Sequence, residues 1–229
     1  MDREQAVARL ETLVDRVERE TMPVPVREVW AFGDVALGLD PVERLDVYLT
    51  KDVIMGGDSD AAANFAAEYG VKGVGTSVHA EWAEAHPDRV RTSDNGYAAP
   101  EKCLAAELVD DSEARSASGS RAKPDDSEPI HLEVCNASFE DNVRQRLKGA
   151  LARDAYEVVL DPRGVCLWVD GTRDEEAFDR LREASLAMPT LSAALGMLGA
   201  DENVANEAAE TLKRRRAEQE GASVRGDMV

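Results

Sequence analysis

The chain reads as an α+β protein on one mixed sheet of about five strands, with a helical carboxyl-terminal region. Three observations carry that reading. Short β-branched runs are interleaved with helical patterns instead of being grouped together. Neither half of the 229 residues holds more than three convincing strands, too few for two independent sheets. The last third consists of successive 3.6-period patterns separated by turn residues.

Taken in order, residues 3–20 place Val7, Leu10, Val14 and Val17 on one stripe, an amphipathic helix that stops before Pro23 and Pro25. A first strand follows at 26–32 and a second at 44–52. In the second, Leu45, Val47 and Leu49 alternate with Arg44, Asp46, Tyr48 and Thr50, which predicts one core face and one polar face. Residues 55–129 are expected to be an insertion before the third strand. It would hold helices at 61–69 and 77–85, a break at Gly70–Gly75, and a helix at 101–109 opened by Pro100. Residues 110–129 are acidic and Ser-rich with almost no large apolar side chain, the composition of a disordered linker. Beyond it come a strand at 130–136 and a helix capped by Ser138 and running to Arg153. A hairpin of 156–160 with 165–169 is expected across Asp161-Pro-Arg-Gly164. Helices are predicted at 173–187, 190–198 and 201–220, with Leu191, Ala194, Leu195 and Leu198 as buried core. The divisions are thus 1–109, 110–129, 130–220 and a fraying tail at 221–229.

Composition narrows the function classes. Asp and Glu number 46 against 27 Lys and Arg, a formal charge of −19, and only six of those 27 cations are Lys. Such a surface repels a phosphodiester backbone, so nucleic acid is not an expected partner. In molar salt the Debye length is about 3 Å, which screens the self-repulsion of so acidic a chain. Its acid excess and lysine poverty resemble the proteins of extreme halophiles, and the chain as a whole is similar to uncharacterised haloarchaeal families. Cys103, Cys135 and Cys166 show no metal-ligand spacing and fit free thiols in a reducing cytosol. The amino terminus lacks an apolar signal segment, and the most apolar stretch, 186–200, is interrupted by Pro189, Gly196 and Gly199. A soluble cytoplasmic protein without a membrane partner is expected.

The candidate chemistry lies at Phe32-Gly33-Asp34-Val35-Ala36-Leu37-Gly38 and Arg44-Leu45-Asp46. This strand, glycine turn and acid-bearing strand resemble the opening of a minimal nucleotidyltransferase. The resemblance implies a turn at Gly33, Asp34 and Gly38 that cradles a nucleotide's phosphates, and carboxylates at Asp46 and Glu133 that hold Mg2+. Acids at i and i+2 on a strand converge on one cation at about 2 Å. Two positions depart from the pattern: Arg44 stands where the family has an acid, and Asp34 where it has serine. Three readings follow: a non-catalytic nucleotide or phosphometabolite binder, an active metal-dependent nucleotidyltransferase, or a scaffold whose helical carboxyl region binds another protein. Ordinary loop glycines and a solvent-face Asp46 are the plain alternative.

Other motifs read as structural. Gly70-Val-Lys-Gly-Val-Gly75 lacks the Gly-Lys-Ser/Thr of a phosphate loop, and His79 and His86 read as surface residues. The run Lys213-Arg-Arg-Arg216 sits in an i,i+4 charge ladder with Glu210, Glu218 and Glu220, the pattern of a solvated helix face.

Overall fold

A computed structural model describes residues 1–57, 59–109, 130–218 and 223–226. The linker expected at 110–129 lies outside the described residues. Helix α1 (Arg3–Arg19) opens with a capping box in which Asp2 accepts from the Gln5 amide, and it buries Ala6, Val7, Leu10, Leu13, Val14 and Val17. Strands β1 (Val26–Phe32) and β2 (Leu45–Lys51) then pair antiparallel, with Trp30 opposite Tyr48 and Phe32 opposite Asp46. Helices α2 (Ser59–Tyr69), α3 (Ala80–Ala85) and α4 (Pro100–Leu108) fill the insertion. Strand β3 (Ile130–Cys135) returns parallel to β2, which joins the two sides of the insertion in one sheet.

Next come α5 (Phe139–Arg153), β4 (Gly164–Val169), β5 (Thr172–Arg173), α6 (Glu175–Glu183), α7 (Leu191–Met197), α8 (Glu202–Ala217) and β6 (Ser223–Gly226). The sheet order is β5-β4-β1-β2-β3-β6. Five of its strands have four residues or more, and β5 is a two-residue edge piece.

Three expectations are corrected. Residues 156–158 form a 3₁₀ turn, not the first arm of a hairpin; β4 pairs with β1, and the true hairpin is β4–β5 around Asp170-Gly171. The burial of Tyr156 in a cluster with Leu147 and Leu195 holds that segment among the helices instead of in the sheet. The tail does not simply fray, because Ser223–Gly226 extends the sheet beside β3. Finally, all seven residues of β2 are buried, so its polar face is not a solvent face.

The reason for that last point is that both sheet faces are covered. Val29, Ala31, Leu45, Val47, Leu49, Leu132 and Val134 face α1, α4 and α6 in the main core. Their alternates, Phe32, Tyr48 and Cys135, meet Phe139, Val143 and Leu160 on the opposite side. Phe139 stacks on Trp30 at 4.7 Å between centroids and meets Tyr48 edge-on at 5.3 Å. Beyond this aromatic seam a third cluster joins α5, the 156–158 turn, α7 and α8. Polar residues on the second face of β2 and β3 are therefore sealed under a helical layer.

Candidate functional site

Strand period places the site. With β2 and β3 parallel and in register, Asp46 lies beside His131 and Tyr48 beside Glu133, all on the second face. A pocket opens there between the sheet, the 157–163 segment and α8. Phe32, Gly33, Arg44, Asp46, His131 and Glu133 line its inner wall.

Asp34, Asp46 and Glu133 are each already engaged by arginine. Asp46 is fully buried; its Oδ1 accepts from Arg44 Nε at 2.8 Å and its Oδ2 from Arg216 Nη2 at 2.7 Å. The same Arg216 nitrogen reaches Asp34 Oδ1 at 3.0 Å. Asp34 Oδ2 accepts the backbone N–H groups of Glu43 at 3.1 Å and Arg44 at 3.4 Å, so this aspartate staples the loop to β2. Glu133 Oε2 accepts from Arg146 Nη2 at 2.8 Å, and its Oε1 lies 3.2 Å from His131 Nε2 and 3.7 Å from Arg225 Nη1.

Proton affinities follow from these partners. Burial pushes the Glu133 carboxyl up, but the His131 and Arg146 contacts outweigh it and hold the group down at about 2. Burial raises Asp46 above the usual carboxylate range, against the opposing pull of Arg216 and Arg44. Arg225 is the reverse case: desolvation lowers its proton affinity more than the distant Glu133 restores it, with Arg146 and Arg215 adding repulsion.

The residues named from sequence divide accordingly. Gly33, Asp34 and Asp46 meet through Arg216, and Glu133 lies one row further along the sheet. Gly33 has a φ of +69°, and a Cβ there would fall 2.9 Å from both Arg216 terminal nitrogens, so glycine is required for this close approach. Gly38 does not line the pocket; it packs on Ala184. The turn amides of Leu37, Gly38 and Leu39 donate to Gly33, Val35 and Asp34 carbonyls, so they point into the loop rather than forming a phosphate cradle. Among the described residues no group of three His, Cys, Asp or Glu is arranged to hold a metal ion. With guanidinium on both oxygens of Asp46, a magnesium ion would have to displace two cations first.

Sequence reasoning noted Arg44 as a departure from the acid pattern but placed none of Arg146, Arg216 and Arg225 at the site. Arg216 is not on a solvated face: Ala205, Ala208 and Ala209 form the buried stripe of α8, and residues 212 and 216 continue it at helical spacing. The stripe therefore delivers Arg216 to Asp46. Four consecutive cations at about 100° each sweep most of a helix circumference, and that was the available signal. Arg215, its neighbour, donates to the Glu157 carbonyl.

The fold and site define an α+β protein with a guanidinium-rich pocket between the sheet and a helical layer. The chain belongs to a family of unknown function, DUF7095, whose model matches residues 2–229. No curated protein and no solved structure matches it. Among the described residues, no helix is long and apolar enough to cross a membrane.

Proposed function

We propose that the pocket binds a small anionic metabolite, a nucleotide or another phosphate-bearing molecule. One observation carries the reading. In a chain of charge −19, the pocket wall holds six cations, Arg44, Arg163, Lys213, Arg215, Arg216 and Arg225, against four acids, Asp46, Glu133, Glu157 and Asp161. An acidic protein that concentrates positive charge in one half-buried cavity has a potential that focuses anions there. The acids set the arginines in fixed directions, and Arg225, only loosely paired with Glu133, is the cation best placed to accept a further partner. Leu160, Leu191 and Leu212 supply an apolar wall for the remainder of the ligand.

The order α1, β1, glycine turn, β2 and parallel β3 supports kinship with a nucleotidyltransferase-like core. Arg44 in the acid position supports binding without a catalytic metal. The acid excess supports a halophilic, intracellular setting. Thermal melting in molar KCl with nucleoside triphosphates, nucleoside monophosphates and inorganic phosphate tests the site. A ligand present at 100 times its dissociation constant adds about 2.7 kcal/mol, or roughly 5–10 °C for a chain of this size. The same shift with and without Mg2+ is expected. A flat response to all three anion classes would contradict the reading.

A further inference from the structure

Parallel pairing on both sides of β3 sets two rows across the sheet: Asp46, His131 and Ser223, then Tyr48, Glu133 and Arg225. Ser223 Oγ lies 2.6 Å from His131 Nδ1, and His131 Nε2 lies 3.2 Å from Glu133 Oε1. Glu133, held by Arg146, is a carboxylate and can only accept. The ring proton facing it therefore sits on Nε2, which leaves the Nδ1 lone pair toward the serine hydroxyl. Ser223 donates to His131, His131 donates to Glu133, and the acid fixes the tautomer, the division of labour in a serine nucleophile relay.

We propose that Ser223, His131 and Glu133 form a nucleophile, base and orienting acid that hydrolyse carboxylic esters carrying an anionic group, a proposal that rests on the anion-binding reading of the pocket. Ser223 Oγ attacks the ester carbonyl carbon while its proton passes to His131 Nδ1. The carbonyl–alkoxide bond breaks and the leaving oxygen takes that proton, giving an alcohol and an acyl-serine. Water then adds to the acyl carbon, His131 takes its proton and returns it to Ser223 as the acyl bond breaks, and the acid departs. Two features go beyond an ordinary cross-strand hydrogen bond. His131 lines the pocket although it is only 7% exposed, so its ring meets whatever enters. Arg225, two residues from Ser223 and hence on the same face, also lines the pocket, with its guanidinium 3.7 Å from Glu133 Oε1 at the acid end of the relay, where it offers a partner to the substrate's anionic group.

Treating the full chain in molar KCl with a fluorophosphonate reagent, followed by peptide mass spectrometry, tests the relay. The serine oxygen should displace fluoride and label Ser223, with hydrolysis of a p-nitrophenyl ester lost in Ser223→Ala. His131→Gln, checked by circular dichroism to be folded, should label at least about 100-fold more slowly. An unlabelled Ser223 in the native chain, or equal labelling of His131→Gln, would overturn the proposal. Anion-induced melting shifts measured on Ser223→Ala separate the two readings. Shifts without labelling leave binding standing and remove the relay, and labelling without shifts does the opposite.

Discussion

Two buried acid–guanidinium clusters occupy this molecule, and they are built to different ends. In the insertion, Glu107 is 1% exposed; its Oε1 accepts from Arg89 Nη1 at 2.8 Å and its Oε2 from Trp82 Nε1 at 2.9 Å. A second carboxyl, Glu20, meets it there, and burial together with Glu107 raises Glu20 above its ordinary range. That cluster ties α1, α3 and α4 into one unit. On the sheet face, by contrast, Asp34, Asp46 and Glu133 meet Arg44, Arg146, Arg216 and Arg225, and the balance tips toward cation. The insertion cluster is organised around one buried carboxylate, whereas the sheet-face cluster sets four guanidinium groups against three carboxylates, the excess on which the anion-binding proposal draws.

The largest expected effect lies in the first cluster. Glu107→Ala removes the carboxylate that holds both Arg89 Nη1 and Trp82 Nε1 in the core and should cost about 3–5 kcal/mol in denaturant unfolding, while anion-induced melting shifts persist in what remains folded. Loss of those shifts with stability intact would erase the distinction between the clusters.

Acid is the next lever. Glu133 falls from its ordinary 4.5 to about 2, so its contribution is fully present above pH 4.5 and is lost as pH falls toward 2. At about 1.4 kcal/mol per unit this is on the order of 3 kcal/mol, visible as a shallower acid limb in Glu133→Gln. Glu20, raised in the folded state, works in the other direction and favours folding as pH drops. Parallel acid limbs for native protein and Glu133→Gln would show that Glu133 is not held ionised by its partners.

Smaller again is Gly33→Ala. A side chain at φ +69° beside Asp46 and Arg216 should cost about 1–3 kcal/mol and loosen the pocket. Chemical denaturation alongside ligand titration checks both effects, and an unchanged midpoint would place the turn outside the site. The smallest change in stability is expected for Arg225→Ala. Its pair with Glu133 is long and its guanidinium is desolvated, so removal should cost under about 1 kcal/mol.

Most of the scaffold was legible because apolar alternation leaves a direct record. Val7, Leu10 and Val14 announced α1, and Leu45, Val47 and Leu49 announced the core face of β2. Ser138 marked the start of α5 by its hydroxyl, which accepts from the Asp141 amide. The other face of β2 was misjudged because Asp46 and Tyr48 look the same in sequence whether water or a helix covers them. What covers them is α5 and the carboxyl-terminal helices, distant along the chain. Strand β6 left little signal, since Ser223–Gly226 is short and its pairing depends on a neighbour some ninety residues away. Gly33, Asp34 and Asp46, adjacent in the local pattern, meet in space, whereas Gly38 turns away to Ala184 and Glu133 lies one row further along the sheet. Their partner Arg216 was hidden, because a cation on a helix reads as solvated until the stripe it extends is traced to the sheet.

Calorimetric titration of a nucleoside triphosphate or inorganic phosphate into native protein and Arg225→Ala, in molar KCl, tests the pocket most directly. Saturable binding by the native chain, weakened about tenfold or more by Arg225→Ala with the fold intact, is the expected result. Equal affinity in the two proteins, or no heat from either, would mean that the cation excess on the sheet face is not a ligand site.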